Sequence, residues 1–218
     1  MSNSSNSTRP KRAYNSTRRQ AQARQTRQQI ADAARKLFIQ RGYAGATIEA
    51  IAQEAAVAPE TVYAIFGSKR KILRHVLDTA VGGDDAAIHL LDRPGPQAVL
   101  QETDQRRQLH LFAHDIAAII ERVAPVFEIM GIAAKTEPEI ADLLQHVLEE
   151  RWHNLQTVIQ HVAASGPLRE GLDLAQAADT VWTLTSAEVF LLLTANRGWS
   201  RDQYADWLGD SLIRLLLP

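Results

Sequence analysis

The N-terminal part of this chain turns on the stretch TIEAIAQEAAVAPETVYAIF, Thr47 to Phe66. Thr47 carries a hydroxyl just ahead of an apolar periodic run and reads as the N-cap of a short helix from Ile48 to about Glu54. A second short helix starts near Ala58 and runs to about Ile65. Pro59 falls in its first turn, where a missing N–H is no loss. Between them lies the turn Ala55-Ala56-Val57. Ile51, Ala55, Val57, Val62 and Ile65 supply a shared apolar seam, and Ala52 lets two steeply crossed backbones approach.

Upstream, Ile30, Ala33, Ala34, Leu37 and Phe38 recur at three- and four-residue spacing and predict an amphipathic helix from about Arg24. It ends at Arg41-Gly42-Tyr43, with Gly42 as a left-handed C′ residue. Downstream, Gly67-Ser68 breaks and recaps the chain, and a fourth helix runs from Lys69 to about Ala80. Residues 1–23 are rich in Ser, Asn, Thr and Arg with almost no apolar side chains, and are expected to be a disordered basic arm. Seven basic residues precede the first acidic one, Asp32. The net charge of −1 conceals a polarity: residues 1–79 hold 14 Lys/Arg against 5 Asp/Glu, whereas residues 80–218 hold 10 against 20. A basic third on an acidic remainder points to a module that faces a polyanion.

Two short crossed helices after a longer one are a helix-turn-helix, whose outer recognition face enters a major groove of DNA. Ala58, Pro59, Glu60 and Thr61 are the candidates for base edges. They form a weakly polar set, suited to thymine methyl groups and to reading DNA shape. Thr47, Tyr63 and Lys69 flank them as candidates for phosphates. The run from Phe38 through Arg41-Gly42-Tyr43, followed by Thr47-Ile48, Ile51-Ala52, Val57, Thr61-Val62-Tyr63, Phe66 and Ser68-Lys69, resembles the N-terminal domain of the TetR family of regulators over residues 24–79. The resemblance implies DNA contacts at Thr47, Thr61, Tyr63 and Lys69. One residue departs from it: the family usually has glycine in the inter-helix turn, where this chain has Ala56. A left-handed alanine there costs on the order of 1 kcal/mol.

The remainder also reads as helical, near 97–103, 105–134, 137–164, 174–196 and 201–216, with Pro125 expected to kink the second of these. Thr136…Glu139, Asp173…Gln176 and Ser200…Gln203 have the spacing of capping boxes. The fold expected is therefore all-α: a helix-turn-helix domain at 24–80 and a helical bundle at 81–218. The segment from Leu174 to Asn196 is apolar on more than one face, and the last helix adds Tyr204, Trp207, Leu208, Leu212, Leu215 and Leu216. Two such helices from each of two chains predict a homodimer through a four-helix bundle at 174–216. The resemblance further implies a small-molecule effector and repression by promoter occlusion. Phe112, His114, Phe127, Met130, Trp152, His153 and Trp182 are the candidate pocket residues.

Several classes fall away. The absence of cysteine excludes disulfides, zinc–cysteine sites and thiol catalysis. There is no glycine-rich phosphate loop and no His-Glu-x-x-His, and Glu137-Pro-Glu139 and Glu149-Glu150 read as a helix start and a solvated face, so no catalysis is expected. His110 with His114, and His146 with His153, share helical faces but read as ordinary residues, so neither metal nor cofactor is expected. No apolar run approaches membrane length, which places the chain in the cytoplasm. The rival to an effector-controlled regulator is a DNA-bound scaffold of the same fold that recruits a protein. A closed apolar cavity favours the first; a solid core with an exposed apolar patch favours the second.

Overall fold

The computed structural model describes residues 11–218, with side chains from residue 19 onward. The disorder expected for residues 1–10 lies outside that range. Among the described residues there are ten α-helices and one 3-10 turn, and no strand.

Helix α1 (Lys11–Gly45) begins well before Arg24, so residues 11–23, expected to be part of a disordered arm, are helical. Ala, Arg and Gln dominate residues 18–28 and are strong helix formers, so a helix anchored at Ile30 extends backwards at little cost. Its apolar stripe is buried as the spacing predicts: Ile30, Ala33, Ala34, Leu37 and Phe38 are all enclosed. Gly42 breaks the helix with φ 69° and ψ 175°. The positive φ needs glycine, but the extended ψ makes it a kink rather than a left-handed cap, and one further turn follows.

Helices α2 (Ile48–Glu54), α3 (Pro59–Phe66) and α4 (Lys69–Gly82) complete the first unit. A 3-10 turn (Leu90–Asp92) leads to α5 (Pro94–Gln101), α6 (Gln105–Ala133), α7 (Pro138–Ser165), α8 (Leu174–Leu184), α9 (Ala187–Thr194) and α10 (Arg201–Leu216). Helix α6 is the axle of the molecule and packs against α1, α4, α5, α7, α9 and α10. It runs on through Pro125. The capping boxes at Asp173/Gln176 and Ser200/Gln203 are both formed. The one expected at Thr136 is not: Pro138 occupies the first turn, the cap falls on Glu137, and no side chain caps it.

The segment expected to run unbroken from Leu174 to Asn196 is two helices. Thr185 turns inward, buried, and Ser186 recaps the chain by accepting the Val189 N–H at 3.3 Å. Much of the apolar surface assigned to a partner is consumed within the subunit. Val181, Phe190, Tyr204, Leu208, Leu212 and Leu216 are buried in one cluster with α6 and α7. Leu192 and Leu215 remain 56% and 42% exposed.

The other cluster disregards the expected boundary at residue 80. Ile30, Leu37, Ile51, Val62, Leu73 and Leu77 share one core with Ile119, Val123, Met130, Ile140 and Leu143 of α6 and α7. The first unit is thus seated on the bundle by continuous apolar packing.

Candidate nucleic-acid interface and effector cavity

The inter-helix turn is built by hydrogen bonds that close a helix end. Thr47 Oγ1 accepts the Ala50 N–H at 3.1 Å at the start of α2. At its far end the Ala56 N–H donates to the Gln53 carbonyl (3.2 Å) and the Val57 N–H to the Ala52 carbonyl (3.0 Å). These are the two bonds of a Schellman motif, with Ala56 at its left-handed position. Ala56 has φ 53°, the single positive φ of a non-glycine residue among those described. Val57 packs onto the core just beyond, as such motifs require.

Helix α3 is fixed from below by Val62 and Phe66, both buried. Its outer side is open: Glu60, Tyr63 and Ala64 are exposed, Tyr63 by 51%. Ala58 is exposed, while Pro59 and Thr61 are half-buried at the edge of the same face. Ala64, one turn beyond Glu60, completes this face and was not singled out from the sequence. Its small side chain gives no compositional cue.

Cations stand near the C-terminal end of α3. The Arg27 guanidinium lies 4.5 Å from the Phe66 ring centroid. Lys71 reaches toward Gly67, where a Cβ would stand 3.8 Å from its Nζ. The ion pairs of this neighbourhood, Lys36–Glu54 at 2.6 Å and Arg74 with Asp78 and Glu150, leave Arg24, Arg27, Arg70 and Lys71 out among the described residues. Lys69, expected on a phosphate, is held differently. Its Nζ donates to the Tyr43 carbonyl at 2.8 Å and lies 4.1 Å from the Tyr43 ring centroid. Burial lowers its pKa, while Glu137 and Glu139 oppose that shift. Tyr43 in turn donates its hydroxyl to Glu139 Oε1 at 3.0 Å; burial, and then that bond, push its pKa up. Lys69 thus ties α4 to the end of α1 and, through Tyr43, to the start of α7, with two ammonium protons still uncommitted.

A cavity of about 1160 Å³ opens between α4, α6, α7 and the α8–α9 junction. Its walls are mainly aliphatic, with Ile116, Ile119, Ile120, Val123 and Leu144 among them. Of the seven expected pocket residues, Phe127, His153 and Trp182 line it. Phe112 and Met130 do not, because both are enclosed in the apolar core. Trp152 packs against the second core cluster instead. His114 faces outward, 3.1 Å from Asp206, and His110 stands 3.7 Å from Asp210, so this pair clasps α6 to α10. No group of three His, Cys, Asp or Glu among the described residues is placed to hold a metal ion, and no helix among them is long and apolar enough to cross a membrane. Glu149 and Glu150, expected on a solvated face, border the cavity, and Glu150 pairs with Arg74 at 2.9 Å. Arg74, Arg151 and the aliphatic walls went unrecognised in the sequence.

Residues 30–76 match the family described as bacterial regulatory proteins, tetR family. Over 57 residues the chain is 42% identical to an uncharacterized HTH-type transcriptional regulator, TtgW, of Pseudomonas putida, and equally to the HTH-type transcriptional regulator SrpR of the same species. Those alignments span 26% of this chain and 42% and 27% of the two relatives. The whole architecture is similar to solved structures. The TetR family transcriptional regulator PfmR from Thermus thermophilus superposes with a TM-score of 0.65 at 23% identity, over 85% of this chain and 97% of its own. The regulator FadR from Bacillus subtilis, solved with stearoyl-CoA, gives 0.63 at 20%, over 85% and 97%. NalD of Pseudomonas aeruginosa, described as the secondary repressor of the MexAB-OprM multidrug efflux pump, gives 0.67 at 19%, over 89% and 98%. At these identities the likeness shows a shared fold.

Proposed function

From a first folded unit whose residues 30–76 match the tetR family of bacterial regulatory proteins, we infer that the protein is a DNA-binding transcriptional repressor of that family, released from a palindromic operator by a small-molecule effector. One observation carries the DNA-binding reading. The outer side of α3 is free while its inner side is locked by Val62 and Phe66, and Arg27, Arg70 and Lys71, outside the ion pairs of the described residues, stand on the neighbouring elements. Tyr63, Thr47 and the uncommitted protons of Lys69 serve phosphates and fix register; Ala58, Glu60, Thr61 and Ala64 meet base edges.

A homodimer gives this surface its reach. Two copies of α3 spaced about 34–36 Å apart enter successive major grooves on one side of a duplex. Leu174 on α8, Leu192 on α9 and Leu215 on α10 are leucines that the subunit leaves uncovered on the helices expected to meet a partner. The boundary at residue 80 falls within α4, whose C-terminal half lines the cavity while its N-terminal end adjoins α3.

The cavity favours effector control over protein recruitment. Leu77, Asp78, Val81 and Gly82 of α4 line it, and the other end of α4 abuts α3 through Ser68. Arg122 of α6 clamps the C-terminal end of α4, donating to the carbonyls of Ala80 (2.8 Å) and Val81 (3.1 Å). An effector that prefers one setting of α4 shifts α3 by its differential affinity for the two states, and by no more.

Footprinting of the full-length protein on the DNA upstream of its own gene tests the reading. A two-fold symmetric footprint is expected, lost in Tyr63→Ala while the melting temperature holds. An unsymmetric footprint, or one indifferent to Tyr63→Ala, refutes it.

A further inference from the structure

Arg151 stands on α7 at the cavity wall, and its polar accounting does not close. Its Nη2 donates to the Trp182 carbonyl at 2.6 Å and to Thr185 Oγ1 at 2.8 Å, which caps the C-terminal end of α8. A guanidinium carries five N–H donors and no acceptor. Those on Nε and Nη1 find no partner among the described residues, and neither atom is fully buried, on a side chain that lines the cavity. The guanidinium also lies 5.0 Å from the Trp182 ring centroid.

Among the described residues no carboxylate lies within 4.0 Å of Arg151. The other cavity arginines are already neutralised: Arg74 by Asp78 and Glu150, Arg93 by Asp84 at 2.9 Å. Glu188, at the start of α9, acts on Arg151 only at longer range, and burial outweighs it, pushing the guanidinium pKa down to about 10. It is still charged near neutral pH. A charge withdrawn from water without a counter-ion is costly, and an anion supplied from outside offsets that cost. Charge-assisted hydrogen bonds of this kind are roughly twice as strong as neutral ones.

We propose that the cavity takes an amphipathic carboxylate, its anionic group on the free N–H donors of Arg151 and its apolar body along Ile116, Ile119, Ile120, Val123 and Leu144. This rests on reading the cavity as the effector site, and names the chemical class of the effector. Arg151 also holds the α8–α9 junction through Trp182 and Thr185, so the carboxylate engages the side chain that positions the bundle's outer helices.

Two carboxylates of different shape and their neutral counterparts test this on the full-length protein: decanoate with 1-decanol, and 1-naphthylacetate with 1-naphthylacetamide. Binding is followed by calorimetry and by Trp182-dependent fluorescence, with Trp182→Phe as the control. At least one carboxylate is expected to bind about tenfold or more tightly than its neutral partner, the difference that a hydrogen bond to a charged group makes. Arg151→Gln should abolish that difference and leave the neutral compound's affinity unchanged. Arg151→Lys, which keeps the charge, should retain part of it and guards against a folding defect in the glutamine variant. Equal binding of the members of each pair, a preference that survives Arg151→Gln, or failure of both carboxylates to bind overturns the proposal. Operator affinity measured in parallel separates the two levels. A carboxylate bound through Arg151 that leaves operator affinity unchanged sinks the effector reading alone. A neutral probe that releases DNA as well as its carboxylate sinks the proposal alone.

Discussion

Replacing Ala56 by glycine should stabilise this protein. Ala56 holds φ 53° at the left-handed position of the Schellman motif, where an L-residue's Cβ crowds the following carbonyl at a cost of about 1–2 kcal/mol. Its methyl group is exposed, so removing it forfeits no packing, and both hydrogen bonds of the motif belong to the backbone and survive. Against the gain stands glycine's greater freedom in the unfolded chain, about 0.5–1 kcal/mol. The difference is a net stabilisation of up to about 1.5 kcal/mol, or a melting temperature higher by up to about 6 °C for a chain of this size. Urea denaturation at fixed protein concentration should show a higher midpoint with an unchanged slope. Ala64→Gly is the internal control. Ala64 is exposed like Ala56 but sits in regular helix, so there the same change should destabilise by about 1 kcal/mol. Two substitutions of one kind, eight residues apart on the surface of one unit, are thus expected to have opposite signs. A loss of stability in Ala56→Gly would refute the assignment of strain to the turn.

Tyr43→Phe removes the hydroxyl that reaches Glu139 and should cost about 1 kcal/mol in thermal or urea unfolding, with no further penalty because Glu139 is exposed and water takes the place of the lost donor. His75 is held below its ordinary pKa by burial and then by Arg27, while Asp78 and Asp85 oppose the shift, and its Nε2 is enclosed without a partner. Its folded form therefore resists protonation, so its contribution is complete above the unfolded histidine pKa, about 6.5, and is lost as pH falls through the lower folded value. Replacing it with phenylalanine should flatten that part of a stability–pH profile. Deleting residues 2–23 should weaken binding to all DNA sequences alike and reduce the slope of log affinity against log salt, since it removes cations from the duplex's reach. A change in sequence preference instead would mean that this segment reads a groove.

Much of the first unit was legible because its instructions are local. Thr47 as a cap, Pro59 in a first turn and the stripe from Ile30 to Phe38 each act within one or two helical turns. The strain at Ala56 was readable only through the resemblance, which puts glycine at that position; the Schellman bonds that impose it are seen in the structure. The failures share the opposite property. The box expected at Thr136 was displaced by Pro138, while the Glu139 carboxylate was taken by a tyrosine from another helix. The break at Thr185 depends on Arg151, distant in sequence. The cavity was hardest of all. A preference for aromatic and amphipathic residues drew the choice toward Phe112 and Met130, which fill core, and Trp152, which packs against it, whereas the walls are largely aliphatic, and an isoleucine facing a void has the same spacing as one facing a neighbour. Arg151 follows two glutamates read as a solvated face, and nothing local to it marks a side chain that lines a cavity.

The seam between the first four helices and the rest bears on how such proteins can be recombined. Ile119, Val123, Met130, Ile140 and Leu143 of α6 and α7 complete the apolar interior beneath Ile51 and Val62. A hybrid that takes residues 11–80 from this chain and a different sensor half from another would bring together two surfaces shaped for other mates. On the proposed function, its DNA preference would transfer intact, while any response to an effector would not, unless those five side chains travelled with the graft.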